Sequence, residues 1–162
     1  MHTMQGAIMQ TLVNLYGRLV ALASSRLGEG IALLIARFAL AGVFWRSART
    51  KVEEGSWLQI SEIQYFIFEN EFSGLPLPPS IAVPLTTYAE HFFPILLALG
   101  LATRFGALGL LVMTMVIQIF VFPEAWWQTH ILWAGLAAML IVRGGGLLSL
   151  DALLASRQKA QG

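Results

Sequence analysis

The sequence predicts an all-α fold, namely a four-helix transmembrane bundle with an N-terminal amphipathic helix and a structured extracytoplasmic loop. The 162 residues are 57% hydrophobic and only 12% charged, whereas soluble domains carry roughly 25% charged residues. Four apolar segments, approaching the ~20 residues that a membrane crossing needs, cover about 30–45, 84–102, 105–122 and 126–142. Arg37 interrupts the first of them, and a charge at mid-bilayer costs at least ~2.5–3.5 kcal/mol. It therefore predicts a polar interior.

Residues 1–29 are predicted to form a cytoplasmic amphipathic segment. Asn14 and Arg18 interrupt any apolar core that a signal peptide would need. Apolar residues instead recur at helical spacing, on the side opposite Gln10, Asn14 and Arg18. They are Ile8, Leu12, Leu15, Leu19 and Leu22. Such a helix would lie on the membrane surface.

The connections between the segments differ in length, and each predicts a different element. Thr103-Arg104 is so short that segments two and three form an antiparallel pair, and Pro123 breaks the chain before segment four. The connection from residue 46 to about residue 84 is long enough to be functional. An interfacial helix is expected over 57–68, ended by the prolines at 76, 78 and 79.

The last part of the chain predicts a glycine stop and a further short helix. Gly144–Gly146 ends the fourth segment, and a short amphipathic helix over 147–154 has Ser149 as its N-cap. The membrane domain is therefore expected to span 30–154, followed by a cytoplasmic tail, 155–162.

The distribution of basic residues predicts the orientation of the bundle in its membrane. Six lie on one side of a four-pass arrangement: Arg18, Arg26, Arg104, Arg143, Arg157 and Lys159. Only Arg46, Arg49 and Lys51 lie on the other, so the positive-inside rule puts both termini in the cytoplasm. The net charge of +1 gives no basic field for nucleic acid. Without cysteine, the chain has no disulfides, thiol redox chemistry or Cys-ligated clusters.

Polar residues concentrate in the outer half of the predicted bundle. Glu90, His91, Gln118 and His130 share that half, and Arg37 approaches it from the middle of the membrane. Aromatic residues form a rim around the same level: Trp45, Tyr88, Phe92, Phe120, Trp126, Trp127 and Trp133. The expected result is a polar pocket with an aromatic rim.

Each polar residue also has a structural interpretation. Arg37 can pair with Glu90 as a structural ion pair, and His91 and His130 can simply form hydrogen bonds at the interface. Two histidines are also able to bind haem axially or to bind copper, but no metal site is predicted from them. Glu90 and His91 can relay protons, although neighbouring helix residues point ~100° apart.

Four stretches in order resemble the DoxX family of small bacterial membrane proteins. They are Arg37 with the exit Trp45-Arg-Ser-Ala-Arg-Thr-Lys51, Pro76-Leu-Pro78 before Tyr88-Ala-Glu-His91, Leu99-Gly-Leu-Ala-Thr-Arg104, and Gly144-Gly-Gly-Leu-Leu-Ser-Leu-Asp151. The resemblance covers about 30–154. Gly144–Gly146 stands where many members have Gly-Pro-Gly. Matched by position, the recurrent polar residues of the family fall on Arg37, Lys51, Glu90, His91 and Arg104.

The resemblance implies a four-helix inner-membrane protein related to quinone-linked sulfur oxidation or to membrane oxidoreductase complexes. The resulting hypothesis is a subunit that holds a quinone in the outer pocket. Arg37 would polarise a carbonyl oxygen, while Glu90 and His91 would exchange protons, so these three are the candidate catalytic residues. The candidate cofactor-binding residues are Trp45, Lys51, Tyr88, Gln118 and His130.

Two other functions compete with this hypothesis. One is a structural or assembly subunit without chemistry, which would join a redox complex or form a homo-oligomer. The other is transport of a small solute or metal, for which the nearly apolar third segment leaves no continuous polar path. Any electron carrier would be borrowed, as a bound quinone or as a partner's cofactor.

Overall fold

The structure, a computed structural model, describes the backbone of residues 2–161 and the side chains of residues 9–161. Within this part of the chain the α-helices are α1 (His2–Ala23), α2 (Arg26–Arg49), α3 (Ile63–Asn70), α4 (Pro79–Leu99), α5 (Thr103–Phe120), α6 (Ile131–Arg143) and α7 (Leu150–Gln161). A 3₁₀ turn (Pro123–Ala125) and a π-helical turn (Trp126–His130) lead into α6.

Four helical stretches of the described chain are long and apolar enough to cross a membrane. They are α2, α4, α5 and the continuous stretch Pro123–Arg143 that ends with α6. α2 packs against α4 and α6, and α5 packs against the same two helices. The core between them is built from aliphatic and small residues with Phe44. The predicted all-α, four-helix transmembrane bundle is therefore confirmed.

The bundle has two unlike ends. The termini side carries α1, α7 and the link between α4 and α5, and the loop side carries residues 50–78 and 121–130. In the link, Gly100 has φ +66°, and a Cβ there would lie 2.2 Å from Nη1 of Arg37. Only glycine therefore allows the arginine to approach the end of α4.

On the loop side, α2 ends level with the middle of α4. Arg37 of α2 contacts Leu97 near the end of α4, and Ser47 contacts Glu90, so the helices are antiparallel and staggered. α3 packs against the first half of α4, where Phe68, Ala82 and Val83 form a small apolar cluster. The long loop thus fills the space that the end of α2 leaves open.

The structured loop is confirmed, but two of its predicted bounds were wrong. The helix spans Ile63–Asn70 instead of 57–68, because residues 51–62 turn back on themselves through a bridge between Val52 and Ile60. The second membrane segment starts at Pro79 instead of about residue 84. The fixed φ of proline suits the first helical position, where no N–H partner is needed.

The two terminal helices lie outside the bundle. Along α1 the leucines 12, 15, 19 and 22 are all exposed, as expected of a helix at a membrane interface, while the side chain of Ile8 lies outside the described residues. α7 runs beyond the predicted 147–154. Ser149 is its N-cap, since its Oγ accepts a hydrogen bond from the Ala152 N–H at 3.2 Å.

Candidate functional site

A buried ion pair joins the chain just after α2 to α4 on the loop side. Nζ of Lys51 lies 2.7 Å from Oε2 of Glu90, whose residue is only 2% exposed. Lys51 also donates to Oγ of Ser47 at 2.8 Å, and that hydroxyl donates to Oε1 of Glu90 at 3.2 Å. The three side chains form a closed network.

This network lines an apolar cavity of about 350 Å³. α3 and the chain after it, α4 and α5 supply the other walls: Phe68, Phe72, Leu75, Leu77, Ala82, Leu85, Thr86, Ala89, Val112, Met113, Val116, Ile117, Val121 and Phe122. Leu85, Val112 and Val116 are 58%, 55% and 36% exposed. Since these residues belong to membrane-spanning helices, the cavity opens sideways toward the lipid between α4 and α5.

The α3 segment closes the loop-side end of the cavity. Phe72 packs edge-on against both Phe68 and Phe122, with ring centroids 5.0 and 5.8 Å apart. Gly74 passes so close to α5 that a Cβ would lie 2.7 Å from the Phe120 carbonyl oxygen. The chain after α3 is thereby held across the end of α5.

Arg37 does not contact Glu90, so the ion pair that was the structural alternative for these two residues is not formed. Its Nη1 donates to the carbonyl oxygens of Leu97 (3.1 Å) and Ala98 (3.3 Å), and its Nη2 donates to that of Leu148. A long side chain on a helix points toward the N-terminus of that helix. From α2 this direction leads to the termini side, away from the cavity, which Arg37 does not line.

The segment after α6 is held at the same end by a second polar residue. The carboxylate of Asp151 accepts the N–H groups of Ala102 (2.7 Å) and Thr103 (2.9 Å), which begin α5. The Asp151 N–H donates to the Gly100 carbonyl at 2.9 Å. Arg37 and Asp151 together attach the start of α7 to the bundle.

His91 faces away from the cavity. Its Nδ1 lies 2.8 Å from the Thr87 carbonyl oxygen and must donate to it, which leaves Nε2 buried without a partner among the described residues. The ring packs against Trp45 at 5.3 Å, and Trp45 contacts Trp57 at 6.0 Å. The side chains of Glu90 and His91 therefore lie on different faces of α4, and only that of Glu90 lines the cavity.

Gln118 and His130 are brought together at a separate place on the loop side. Nδ1 of His130 lies 2.7 Å from Oε1 of Gln118, whose Nε2 donates to the Pro123 carbonyl at 2.7 Å. His130 also packs on Trp133 at 5.1 Å. The pair fixes the turn that leads into α6, and neither residue lines the cavity.

Of the predicted site residues, the structure places Lys51 and Glu90 at the cavity. Tyr88 is half exposed and reaches the Leu58 carbonyl at 3.4 Å, and Trp45 lies on the His91 side. Ser47 was not among the predicted site residues. It precedes Lys51 by four positions, and this helical spacing puts both side chains on one face. Among the described residues, no group of three or more His, Asp or Glu side chains is placed to hold a metal ion.

Fold and site define a small multi-pass α-helical membrane protein with a buried ion pair at a lipid-facing cavity. The chain belongs to the DoxX family, whose profile matches residues 32–123, more than half of its length. It is also similar to an uncharacterized protein of Haemophilus influenzae (strain ATCC 51907 / DSM 11121 / KW20 / Rd), with 31% identity over 144 residues that cover 79% of this chain and 86% of the relative. No solved structure matches the chain.

Proposed function

We propose that this protein is an integral subunit of a quinone-linked membrane oxidoreductase complex and that it binds a quinone-type molecule in the loop-side cavity. The observation that carries the proposal is the combination of an apolar, lipid-open cavity with one charged network, Ser47–Lys51–Glu90, on its wall. Its volume lies within the ~300–1,000 Å³ of small-molecule sites.

The chemistry of the cavity suits a ligand that is dissolved in the bilayer. Such a molecule enters between α4 and α5 without crossing a polar surface, because Leu85 and Val112 flank the opening. Its apolar part then contacts aromatic and aliphatic side chains, while the oxygen-bearing ring lies beside the Ser47–Lys51–Glu90 network. DoxX membership supports the same proposal, since the family is associated with membrane oxidoreductase-related subunits.

Filling the cavity is expected to abolish ligand binding. Ala89 lines it from α4, and a phenylalanine there occupies space that the ligand needs, so the affinity should fall by about tenfold or more. The measurement is the affinity of an alkyl benzoquinone for Ala89→Phe reconstituted in nanodiscs. Ala39→Phe is the matched control, because Ala39 is exposed on α2 and its replacement should leave binding unchanged. Equal affinity of both variants would contradict the proposed site.

A non-catalytic structural or assembly subunit is the second candidate. It is favoured by Arg37, Gln118 and His130, which do not line the cavity and whose side chains link separate segments of the bundle. Native mass spectrometry with optical absorption on the gently solubilised protein separates the two candidates. A bound quinone supports the first, and a ligand-free protein with a stoichiometric partner supports the second.

We propose an inner-membrane orientation with the termini side in the cytoplasm. Lys51 is buried in its ion pair and Arg49 lies over the Trp57 ring at 5.3 Å, so Arg46 is the exposed one of the three loop-side basic residues. The six basic residues on the termini side then dominate the positive-inside rule.

Single cysteines introduced into this cysteine-free chain report the orientation. Glu54→Cys on the loop side is expected to react with a membrane-impermeant maleimide once the outer membrane alone is permeabilised. Lys159→Cys in α7 should react only after the inner membrane is also permeabilised. Both positions are exposed, so the opposite pattern of labelling would overturn the orientation.

A further inference from the structure

At the charged end of the cavity, all N–H and O–H donors of the Lys51 and Ser47 side chains already form hydrogen bonds within the protein. An ammonium group has three N–H donors, and Nζ of Lys51 directs them to Oε2 of Glu90 (2.7 Å), Oγ of Ser47 (2.8 Å) and the Ser47 carbonyl (3.5 Å). The one hydroxyl proton of Ser47 goes to Oε1 of Glu90 at 3.2 Å. Neither residue retains a donor for a ligand.

The free hydrogen-bonding capacity at this end is that of an acceptor. A carboxylate has about four lone-pair sites, and the two oxygens of Glu90 each accept one bond in the network. The remaining lone pairs belong to a group that lines the cavity. A ligand hydroxyl can donate to them, whereas a ligand carbonyl meets only the negative charge.

Thr86 is the other hydroxyl-bearing residue on the described cavity wall, one helical turn before Glu90. Its hydroxyl rotates and either donates or accepts, so it serves both kinds of ligand oxygen. Discrimination between a hydroxyl and a carbonyl therefore depends on Glu90.

We propose that Glu90 makes the cavity selective for ligands that present a hydroxyl donor, so that a hydroquinone ring binds in preference to its quinone. This proposal rests on the proposed function and adds which redox form of the ligand the cavity binds more tightly. The hydrogen bond from an O–H group to a carboxylate is short and strong. A quinone has no O–H group and cannot form it. The expected preference is about tenfold to a hundredfold in Kd.

The test compares three ligands with one ring and one alkyl chain, namely the hydroquinone, the quinone and the hydroquinone dimethyl ether. The ether keeps the ring but has no O–H, so it removes the donor without any change of redox state. Binding to the wild-type protein in nanodiscs is measured by equilibrium dialysis under argon. The hydroquinone should bind about tenfold or more tightly than both others.

Two variants assign the preference to its residue. Glu90→Gln is expected to reduce it to within about twofold, because an amide both donates and accepts. Thr86→Val should retain it. Equal binding of the hydroquinone and its ether to the wild type, or tighter binding of the quinone, overturns the selection while leaving the proposed function intact. If none of the three ligands binds, both proposals fail.

Discussion

The Arg37→Leu variant is expected to unfold about 6–12 °C below the wild-type protein. Arg37 donates to the carbonyl oxygens of Leu97, Ala98 and Leu148 from a fully buried position. A hydrogen bond to a charged group contributes about 1.5–3 kcal/mol. Even with the cost of burying the charge deducted, a loss of about 3 kcal/mol follows, and each kcal/mol corresponds to about 2–4 °C at this chain length.

The carbonyls that Arg37 binds explain why the loss is large. Leu97 and Ala98 lie in the last turn of α4, where carbonyl groups lack the N–H partners of the helix interior. The Gly100 N–H donates to the Leu97 carbonyl at 3.1 Å, and Arg37 adds a bond to the carbonyls of both residues. Leu148 precedes α7, so its bond to Arg37 attaches the C-terminal segment to the bundle. In Arg37→Leu the segment from residue 147 onward should therefore be cut faster in limited proteolysis, as well as melting earlier.

Two comparisons test whether this effect belongs to the buried guanidinium. Arg46→Leu removes an exposed arginine from the same helix and should shift the thermal midpoint in detergent only slightly. Arg37→Lys should fall between the wild type and Arg37→Leu, because an ammonium group lacks the planar fork that spans separate carbonyls. An Arg37→Leu protein that is as stable as the wild type but no longer binds quinone would instead support the carbonyl-polarising role predicted from the sequence.

Apolar segment length was sufficient to predict the four membrane-spanning helices, because each crossing needs a continuous apolar stretch. The stagger between the helices was not predictable in this way. α3 packs beside the part of α4 that lies beyond the end of α2, and the contact between Ser47 and Glu90 marks this offset. Helix bounds such as Ile63 and Pro79 follow from that packing and not from local periodicity.

The sequence was sufficient to predict which polar residues are buried near the site, but not which of them contact each other. The structural alternative for Glu90 was an ion pair with Arg37, the buried charge of the first segment. A side chain on a helix points toward the N-terminus of that helix, which for Arg37 means away from Glu90. Helix geometry alone could therefore have excluded this contact. Lys51 lies beyond the end of α2, so its side chain reaches back into the bundle to find Glu90. A pair of this kind requires the three-dimensional offset of two helices.

Removing one member of the Lys51–Glu90 pair is expected to destabilise the protein by about 3–5 kcal/mol, because the other charge remains buried without its partner. Lys51→Met and Glu90→Leu should each show this loss. The double variant should be no less stable than the better of the two, since both charges are then absent. Reversible unfolding of all four proteins in mixed micelles gives the coupling energy between the two positions.

The exposed pair between Arg143 and Glu29 provides the matched control for this cycle. The side chains of these residues are 56% and 40% exposed, and surface pairs contribute only about 0–1 kcal/mol. The cycle of Arg143→Met and Glu29→Leu should thus give a coupling far below that of Lys51 and Glu90. Similar couplings in the two cycles would contradict a buried ion pair at the cavity.

Ligand binding by the double variant then separates the two roles of the pair. If Lys51 and Glu90 act only in stability, Lys51→Met with Glu90→Leu should bind an alkyl hydroquinone as the wild type does. If Glu90 accepts the ligand hydroxyl, the double variant is folded yet binds about tenfold more weakly. We expect the double variant to regain stability but to bind the hydroquinone weakly. The apolar side chains of Met and Leu can fill the space of the ion pair, but they offer no hydrogen-bond acceptor to the ligand.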